Sequence, residues 1–201
     1  MTAQSFVDTL RGFFDRGKAT SLDEHLEGEE GLWRIWRNSS KDDSDWAIYL
    51  KSDLDLDTDG PRSRGIKYDV THQDETSLRW ADGSSVNSNT VPFVVIPGYW
   101  QRGIVLGDSC LVQYKDKLVQ AIVADIGPRR KIGEGSIALH RALGIERVVG
   151  GRIQDVGIGS GVRTIFFPNS GNGKCQTNSD VMGIALDRWR ALTETTPRTE
   201  P

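Results

Sequence analysis

The fold is decided by the stretch VADIGPRRKIGEGSIALHRALGI, residues 123–145. Its first residues end the apolar run LVQAIVADI (118–126), which is rich in β-prone residues and predicts a strand. Residues 133–145 place apolar side chains, including Ile137, at helical spacing, and Gly144 ends the helix. A strand, a short loop and one helix therefore follow each other here.

The sequence around this stretch is β-prone. Between residues 32 and 126, short apolar runs alternate with Gly, Asp, Asn and Pro, which favours strands joined by tight turns. Residues 164–168, TIFFP, predict a further strand that ends at Pro168. The runs before residue 118 are LWRIW, WAIYL, SLRW, VPFVVI and CLVQY. We therefore predict a mainly β fold, a β-rich barrel with one embedded helix.

Helices are predicted at both ends of the chain. Residues 4–16 carry apolar side chains at helical spacing, and Ser21 and Glu24 have the spacing of a capping box, which predicts a second short helix. Residues 179–192 predict a C-terminal helix that covers the barrel. Its N-cap would be Ser179 and its apolar positions Met182, Ala185, Leu186 and Trp189.

These elements divide the chain into three parts. Residues 1–30 form an N-terminal helical extension, and residues 31–192 form the barrel domain with its C-terminal helix. Residues 193–201, TETTPRTEP, are predicted to be disordered. The two cysteines, Cys110 and Cys175, either form one structural disulfide or remain two buried thiols.

Composition limits the possible partners. The chain has 201 residues, of which 37% are hydrophobic and 26% charged, and this is ordinary for one soluble domain. A net charge of −3 with scattered Lys and Arg argues against nucleic-acid binding. The start lacks the pattern of a signal peptide or a membrane span. We expect no nucleic acid, no membrane and a monomer.

An aspartate-rich segment, KSDLDLDTDG, precedes the central strands. On a strand its four aspartates share one face, because side chains alternate, while the leucines between them take the other. Four like charges repel each other unless a cation lies opposite. The aspartates are Asp53, Asp55, Asp57 and Asp59.

Three interpretations of this segment remain open. The spacing of Asp55, Asp57 and Asp59 matches the first half of an EF-hand loop, but the twelfth position is Ile66 and not the required Glu. The alternatives are a bound calcium ion, a solvated acidic strand end and a groove for a cationic substrate. We favour the groove, and we expect no metal.

A second pair of carboxylates lies in the 123–145 stretch. Asp125 closes a strand, and Glu134 follows nine residues later at the predicted start of a helix. Glycoside hydrolysis uses such a pair, one as general acid and one as general base or nucleophile. Spacing alone favours ordinary roles for them, a turn former and a helix N-terminal charge.

Nucleophilic catalysis has little support in the sequence. None of the three histidines lies beside a Ser or Cys in a recognisable motif, and no G-x-S-x-G or phosphate-binding loop occurs. Aromatic residues such as Tyr99 and Trp100 offer surfaces on which a sugar ring stacks, although core packing is the commoner role of such residues.

The order of these segments resembles glycoside hydrolase family 75, the fungal-type chitosanases, over residues 45–170. The resemblance rests on DLDLDTDG, VPFVVIP, the strand–Asp–loop–Glu–Gly–Ser–helix block and VRTIFFPNSG. It implies a six-stranded double-psi β-barrel that cleaves chitosan internally, with inversion and without a cofactor. The family's essential carboxylates fall on Asp125 and Glu134.

The resemblance also sharpens the expected chemistry. Chitosan is a glucosamine polymer with protonated amines, so the aspartates would form a substrate groove together with Tyr99 and Trp100. As a hypothesis, Glu134 is the general acid and Asp125 the general base, which in inverting enzymes lie about 6.5 to 9.5 Å apart. The opposite assignment is also open. Such an enzyme is expected to be secreted or extracytoplasmic, although no signal peptide is visible.

Two other functions compete with this one. Double-psi-like barrels with one essential Asp also occur in lytic transglycosylases, so a peptidoglycan-cleaving enzyme is the nearest alternative. A non-catalytic module that binds a glycan in the acidic groove is the other.

Overall fold

The computed structural model describes residues 1–22, 25–39, 41, 45–68, 70–100, 102–154, 156–171 and 178–194, and only the backbone of 178–182. The chain is mainly β, as predicted. The helices are α1 (Ala3–Asp15), α2 (Ile137–Ala142) and α3 (Asn178–Thr193). The strands are β1 (Ala19–Ser21), β2 (Glu29–Trp36), β3 (Trp46–Asp57), β4 (Phe93–Pro97), β5 (Ser109–Tyr114), β6 (Lys117–Gly127), β7 (Glu134–Ser136), β8 (Val148–Val149), β9 (Arg152–Ile153) and β10 (Ile158–Phe167).

Six of the strands close into a barrel. Hydrogen-bonded neighbours follow the order β3, β10, β5, β6, β4 and β7, and β7 pairs again with β3. The β3–β7 and β4–β6 pairs are parallel, and the other four pairs are antiparallel. Strand β3 closes the ring because it pairs with β10 and, through residues 55–57, with β7. Its residues 46–52 also pair with β2, which lies outside the ring. The predicted six-stranded barrel is confirmed.

Side-chain alternation along the barrel strands creates two apolar cores. One face of β3 points Ile48, Leu50 and Leu54 into the barrel interior. The opposite face of the same strand, at Ala47 and Tyr49, packs against the helices outside the barrel. The strands therefore serve as a wall between the interior and the helix layer.

The terminal helices cover the outer face of this wall. Helix α1 begins after Thr2, whose hydroxyl accepts a hydrogen bond from the Ser5 amide at 3.1 Å. Its buried Phe6 lies against Trp189 of α3, with ring centroids 4.8 Å apart. Both predicted terminal helices are confirmed. Among the described residues, no helix has the length and apolar character to cross a membrane.

Three local predictions are wrong. Ser21 begins no helix, because it lies in β1 opposite Trp33. The run SLRW (77–80) contributes only an isolated bridge at Arg79. Glu134 lies on a strand and not at a helix start, because α2 begins only after its N-cap residue, Ser136.

Some predictions fall on residues that the structure does not describe. Glu24 of the proposed capping box and residues 195–201 of the proposed tail lie outside the described residues, as do the side chains of Ser179 and Met182. Cys110 is fully buried in the barrel interior, whereas Cys175 is also outside the described part. The choice between a disulfide and two thiols stays open.

Candidate active site

Asp125 and Glu134 lie on either side of one residue of β4. Val95 pairs with Asp125 of β6 and with Glu134 of β7. The backbones of Asp125 and Glu134 are therefore two strand spacings apart, about 9 to 10 Å. Directly paired residues project from the same face of a sheet. All three residues accordingly line one cleft.

A register shift between β4 and β6 brings Asp125 to this position. Val94 pairs with Val123, but the next residue, Val95, pairs with Asp125, so Ala124 is an extra residue. Without this bulge, alternation would turn the Asp125 side chain to the barrel interior with Val123. β-Bulges commonly redirect a side chain in this way beside active sites.

The Asp125 carboxylate is held at one oxygen. Its Oδ1 atom accepts hydrogen bonds from the Ser77 amide (3.0 Å), the Ser77 hydroxyl (2.5 Å) and the Ile126 amide (2.7 Å). Among the described residues, Oδ2 accepts none. The residue is only 5% exposed. Three donors to one oxygen fix the orientation of the carboxylate.

Glu134 is joined to Asp55 through a lysine that the sequence analysis did not identify. Lys131 Nζ lies 3.2 Å from Glu134 Oε1 and 2.8 Å from Asp55 Oδ2. Burial lowers the pKa of Lys131, but the hydrogen bond to Asp55 and the charge of Glu134 outweigh burial and raise it. Lys131 is thus a fixed cation, and the Glu134 side chain is only 16% exposed.

Gly127 allows the Glu134 carboxylate to lie against the end of β6. A Cβ atom at position 127 would lie 2.7 Å from Glu134 Oε2 and 2.9 Å from Val95 Cγ1. Both distances are shorter than real Cβ contacts, so any side chain here would displace Glu134 or the strand. Gly127 therefore has a steric role in the site.

Two aspartates of the acidic segment join Asp125. One carboxylate oxygen from each of Asp57, Asp59 and Asp125 lies within 4.8 Å of the others. Burial raises the pKa of Asp57 well above its ordinary value, and the charges of Asp59, Asp125 and Glu134 raise it further. Burial also raises the pKa of Asp59, although the Gln73 amide donates to its carboxylate at 2.7 Å. A cation bound among these three carboxylates would offset their mutual repulsion.

We call the space between these groups the carboxylate cleft. Its volume is about 370 Å³. Leu54 points into the barrel core as predicted, but Leu56 lines the cleft beside Asp57. The lining residues are Leu56, Asp57, Thr58, Asp59, Thr71, Gln73, Val95, Asp125, Ile126, Gly127, Pro128 and Glu134.

Asp53 does not line this cleft. One of its carboxylate oxygens, Oδ1, is buried without a hydrogen-bond partner in the described part of the chain. This oxygen lies close to Gly133, which has a positive φ of 87° and no room for a side chain. Burial and the charge of Asp55 raise the pKa of Asp53 to about 6.

The two aromatic residues of the predicted groove also lie outside the carboxylate cleft. Tyr99 is 60% exposed, whereas Trp100 is buried with its ring edge-on to Phe166 at 5.3 Å between centroids. Both line a neighbouring cavity that shares Ile126 with the carboxylate cleft. Their role in substrate binding stays a prediction, as does that of the aspartates.

The acidic cluster could hold a metal ion or an ammonium group. Asp57, Asp59 and Asp125 are the one group of three metal-type ligands that the described residues bring together. Carboxylate oxygens suit hard cations such as Ca²⁺, which takes six to eight oxygen ligands. An EF-hand loop is not formed, because Asp55 and Asp57 lie on the extended strand β3.

Together, the fold and the site define a closed β-barrel with a pair of carboxylates across one strand and an acidic cluster beside them. No protein-family model matches the chain. No curated protein matches it either.

Proposed function

We propose that this chain is an endo-acting glycoside hydrolase that cleaves the β-1,4 bonds of chitosan with inversion. One observation carries the proposal: Asp125 and Glu134 lie opposite the same residue, Val95, and line one cleft. Their backbones are two strand spacings apart, about 9 to 10 Å. Inverting enzymes hold the two carboxyl groups themselves about 6.5 to 9.5 Å apart, so that a water molecule fits between them, and the proposal expects that separation here.

In this proposal Asp125 is the general base. The three hydrogen bonds to its Oδ1 hold the carboxylate in one orientation, and Oδ2 remains for a water molecule. The base takes a proton from this water as the water attacks the anomeric carbon. Ser77 thus acts as a positioning residue for the carboxylate.

Glu134 is then the general acid and gives its proton to the departing glycosidic oxygen. Glu134 lines the carboxylate cleft with Asp125, and Lys131 Nζ, 3.2 Å from Glu134 Oε1, holds the carboxyl group in place. Gly127 leaves the space in which this carboxyl group sits. No cofactor takes part in the proposed reaction.

The acidic cluster supports an amino-sugar substrate. Chitosan carries one amine on most residues, and each protonated amine is a cation. The raised pKa values of Asp57 and Asp59 reflect burial and mutual repulsion, which a bound ammonium group would offset. A polymer of this kind is met outside the cytoplasm, so we propose that the protein works there.

Product analysis tests this function. The purified protein is incubated with chitosan and, in parallel, with peptidoglycan. The proposal predicts chitosan oligomers with ordinary reducing ends. Anhydro ends from peptidoglycan would instead indicate a lytic transglycosylase, and retention on chitosan beads without any product would indicate a binding module.

A further inference from the structure

A further cavity, of about 570 Å³, adjoins the carboxylate cleft and has the opposite charge. It shares Tyr99 and Trp100 with the neighbouring cavity described above. Among the described residues, no carboxylate lines it. We call it the arginine pocket. Its lining includes Arg102, Arg129, Arg130, Pro97, Tyr99 and Trp100.

The arginine pocket and the carboxylate cleft meet at the ends of β4 and β6. Pro97 lines the pocket and pairs with Gly127, which lines the cleft. Pro128 lines the cleft, and the next residue, Arg129, lines the pocket. A polymer that crosses this edge of the barrel would therefore pass from a negative to a positive surface.

Two of the arginines are available to an anion. The Arg129 guanidinium lies 4.9 Å from the ring centroid of Tyr99, and Arg130 Nη2 donates to the His25 carbonyl at 3.4 Å. Neither forms an ion pair with a carboxylate in the described part of the chain. Guanidinium groups bind carboxylate and phosphate through two parallel hydrogen bonds, and an aromatic ring beside them suits a sugar face.

We propose that the arginine pocket binds an anionic substituent, a carboxylate or a phosphate, on the same amino-sugar polymer that the carboxylate cleft cleaves. This inference rests on the proposed function. The guanidinium groups of Arg129 and Arg130 repel the ammonium groups of plain chitosan, so a purely cationic chain fits only the cleft. The substrate class that fits both surfaces carries amines and anions on one backbone.

Binding of three hexasaccharides tests the inference. They are the chitosan hexamer, its carboxymethylated form and its phosphorylated form. Their dissociation constants are measured by calorimetry on the Glu134→Gln protein, which should bind the hexamers without cleaving them, at low ionic strength, where screening is weak. We expect at least one anionic hexamer to bind about tenfold more tightly than the plain hexamer, because hydrogen bonds between charged groups are stronger than those between neutral groups. Comparing the two anionic forms separates carboxylate from phosphate.

The variants localise the effect. The Arg129→Gln/Arg130→Gln double variant should reduce the preference for the anionic hexamer to less than about twofold. The control is Arg11→Gln, because the Arg11 side chain is 72% exposed on α1, outside the pocket, and this variant should keep the preference. Equal binding of all three hexamers, no binding of any, or a preference that survives the double variant would overturn the inference. Chitosan cleavage is measured in parallel on the protein that retains Glu134, so failure of the proposed function appears separately, as binding without cleavage.

Discussion

Asp125 and Glu134 both pair with the same β4 residue, Val95, one from each neighbouring strand. Neither carboxylate depends on a flexible loop for its place, because each lies on a barrel strand beside the same neighbour. A rigid frame of this kind keeps two catalytic groups at a constant separation.

Removing either carboxylate should remove most of the activity. Asp125→Asn and Glu134→Gln keep the size of the side chain, and each is expected to lower kcat on chitosan by about 10² to 10⁴-fold. Release of reducing ends is the measurement, with circular dichroism to check folding. Asp116→Asn changes an exposed carboxylate outside the cleft and should leave kcat unchanged. Near-full activity in a folded Asp125→Asn or Glu134→Gln protein would contradict the assignment of these two residues as the catalytic pair.

Lys131→Gln should separate the roles of the two carboxylates. The substitution removes the cation that lies 3.2 Å from Glu134, and a neighbouring cation stabilises the charged form of a carboxyl group. If Glu134 is the general acid, the alkaline limb of the pH profile of kcat/KM moves to higher pH. A shift of the acidic limb instead would assign Glu134 as the base.

Gly127→Ala should impair catalysis without unfolding the protein. The added methyl group would meet Glu134 Oε2 and displace the carboxylate, so we expect kcat to fall by about tenfold to a hundredfold. The matched control is Gly159→Ala on β10, where an added Cβ has no atom within 4 Å. Equal loss in both variants would point to a general effect on the strands.

Asp53→Asn should stabilise the protein at neutral pH but not in acid. The pKa of Asp53 is raised to about 6 in the folded state, so folding favours its protonated form and stability is lost as the pH rises through about 6. After allowance for solvent screening, the gain in the free energy of unfolding at pH 7 is about 1 kcal/mol. Urea unfolding at pH 7 and pH 4 measures it. A gain of equal size at both pH values would contradict the electrostatic cause.

Local sequence patterns predicted much of the fold, whereas Asp125 and Glu134 were proposed as a catalytic pair from the resemblance in segment order and not from their spacing. Helical spacing located α1 and α3, and the apolar runs located most barrel strands, because these signals depend on neighbours along the chain. The bulge at Ala124 and the contact of Ser77 with Asp125 were not predictable in this way. They arise from strand register and from residues 48 positions apart. Lys131 had a local signal, its i, i+3 spacing to Glu134, but its contact with Asp55 depends on the β3–β7 pairing.

The acidic segment shows the same limit. The alternation of side chains correctly predicted that Leu54 points into the core. It did not show that the aspartates of this segment lie in two different environments. Asp57 and Asp59 line the cleft with Asp125, while Asp55 contacts Lys131. The division occurs where β3 ends at Asp57 and the chain leaves the extended form.

The stereochemistry of the first product tests the central claim most directly. Proton NMR follows the anomers that appear when the protein cleaves a chitosan hexamer, before mutarotation mixes them. An inverting pair formed by Asp125 and Glu134 predicts that α-anomers appear first, and that neither anomer appears with Glu134→Gln. β-Anomers as the first product, or the same products from the Glu134→Gln protein, would contradict it.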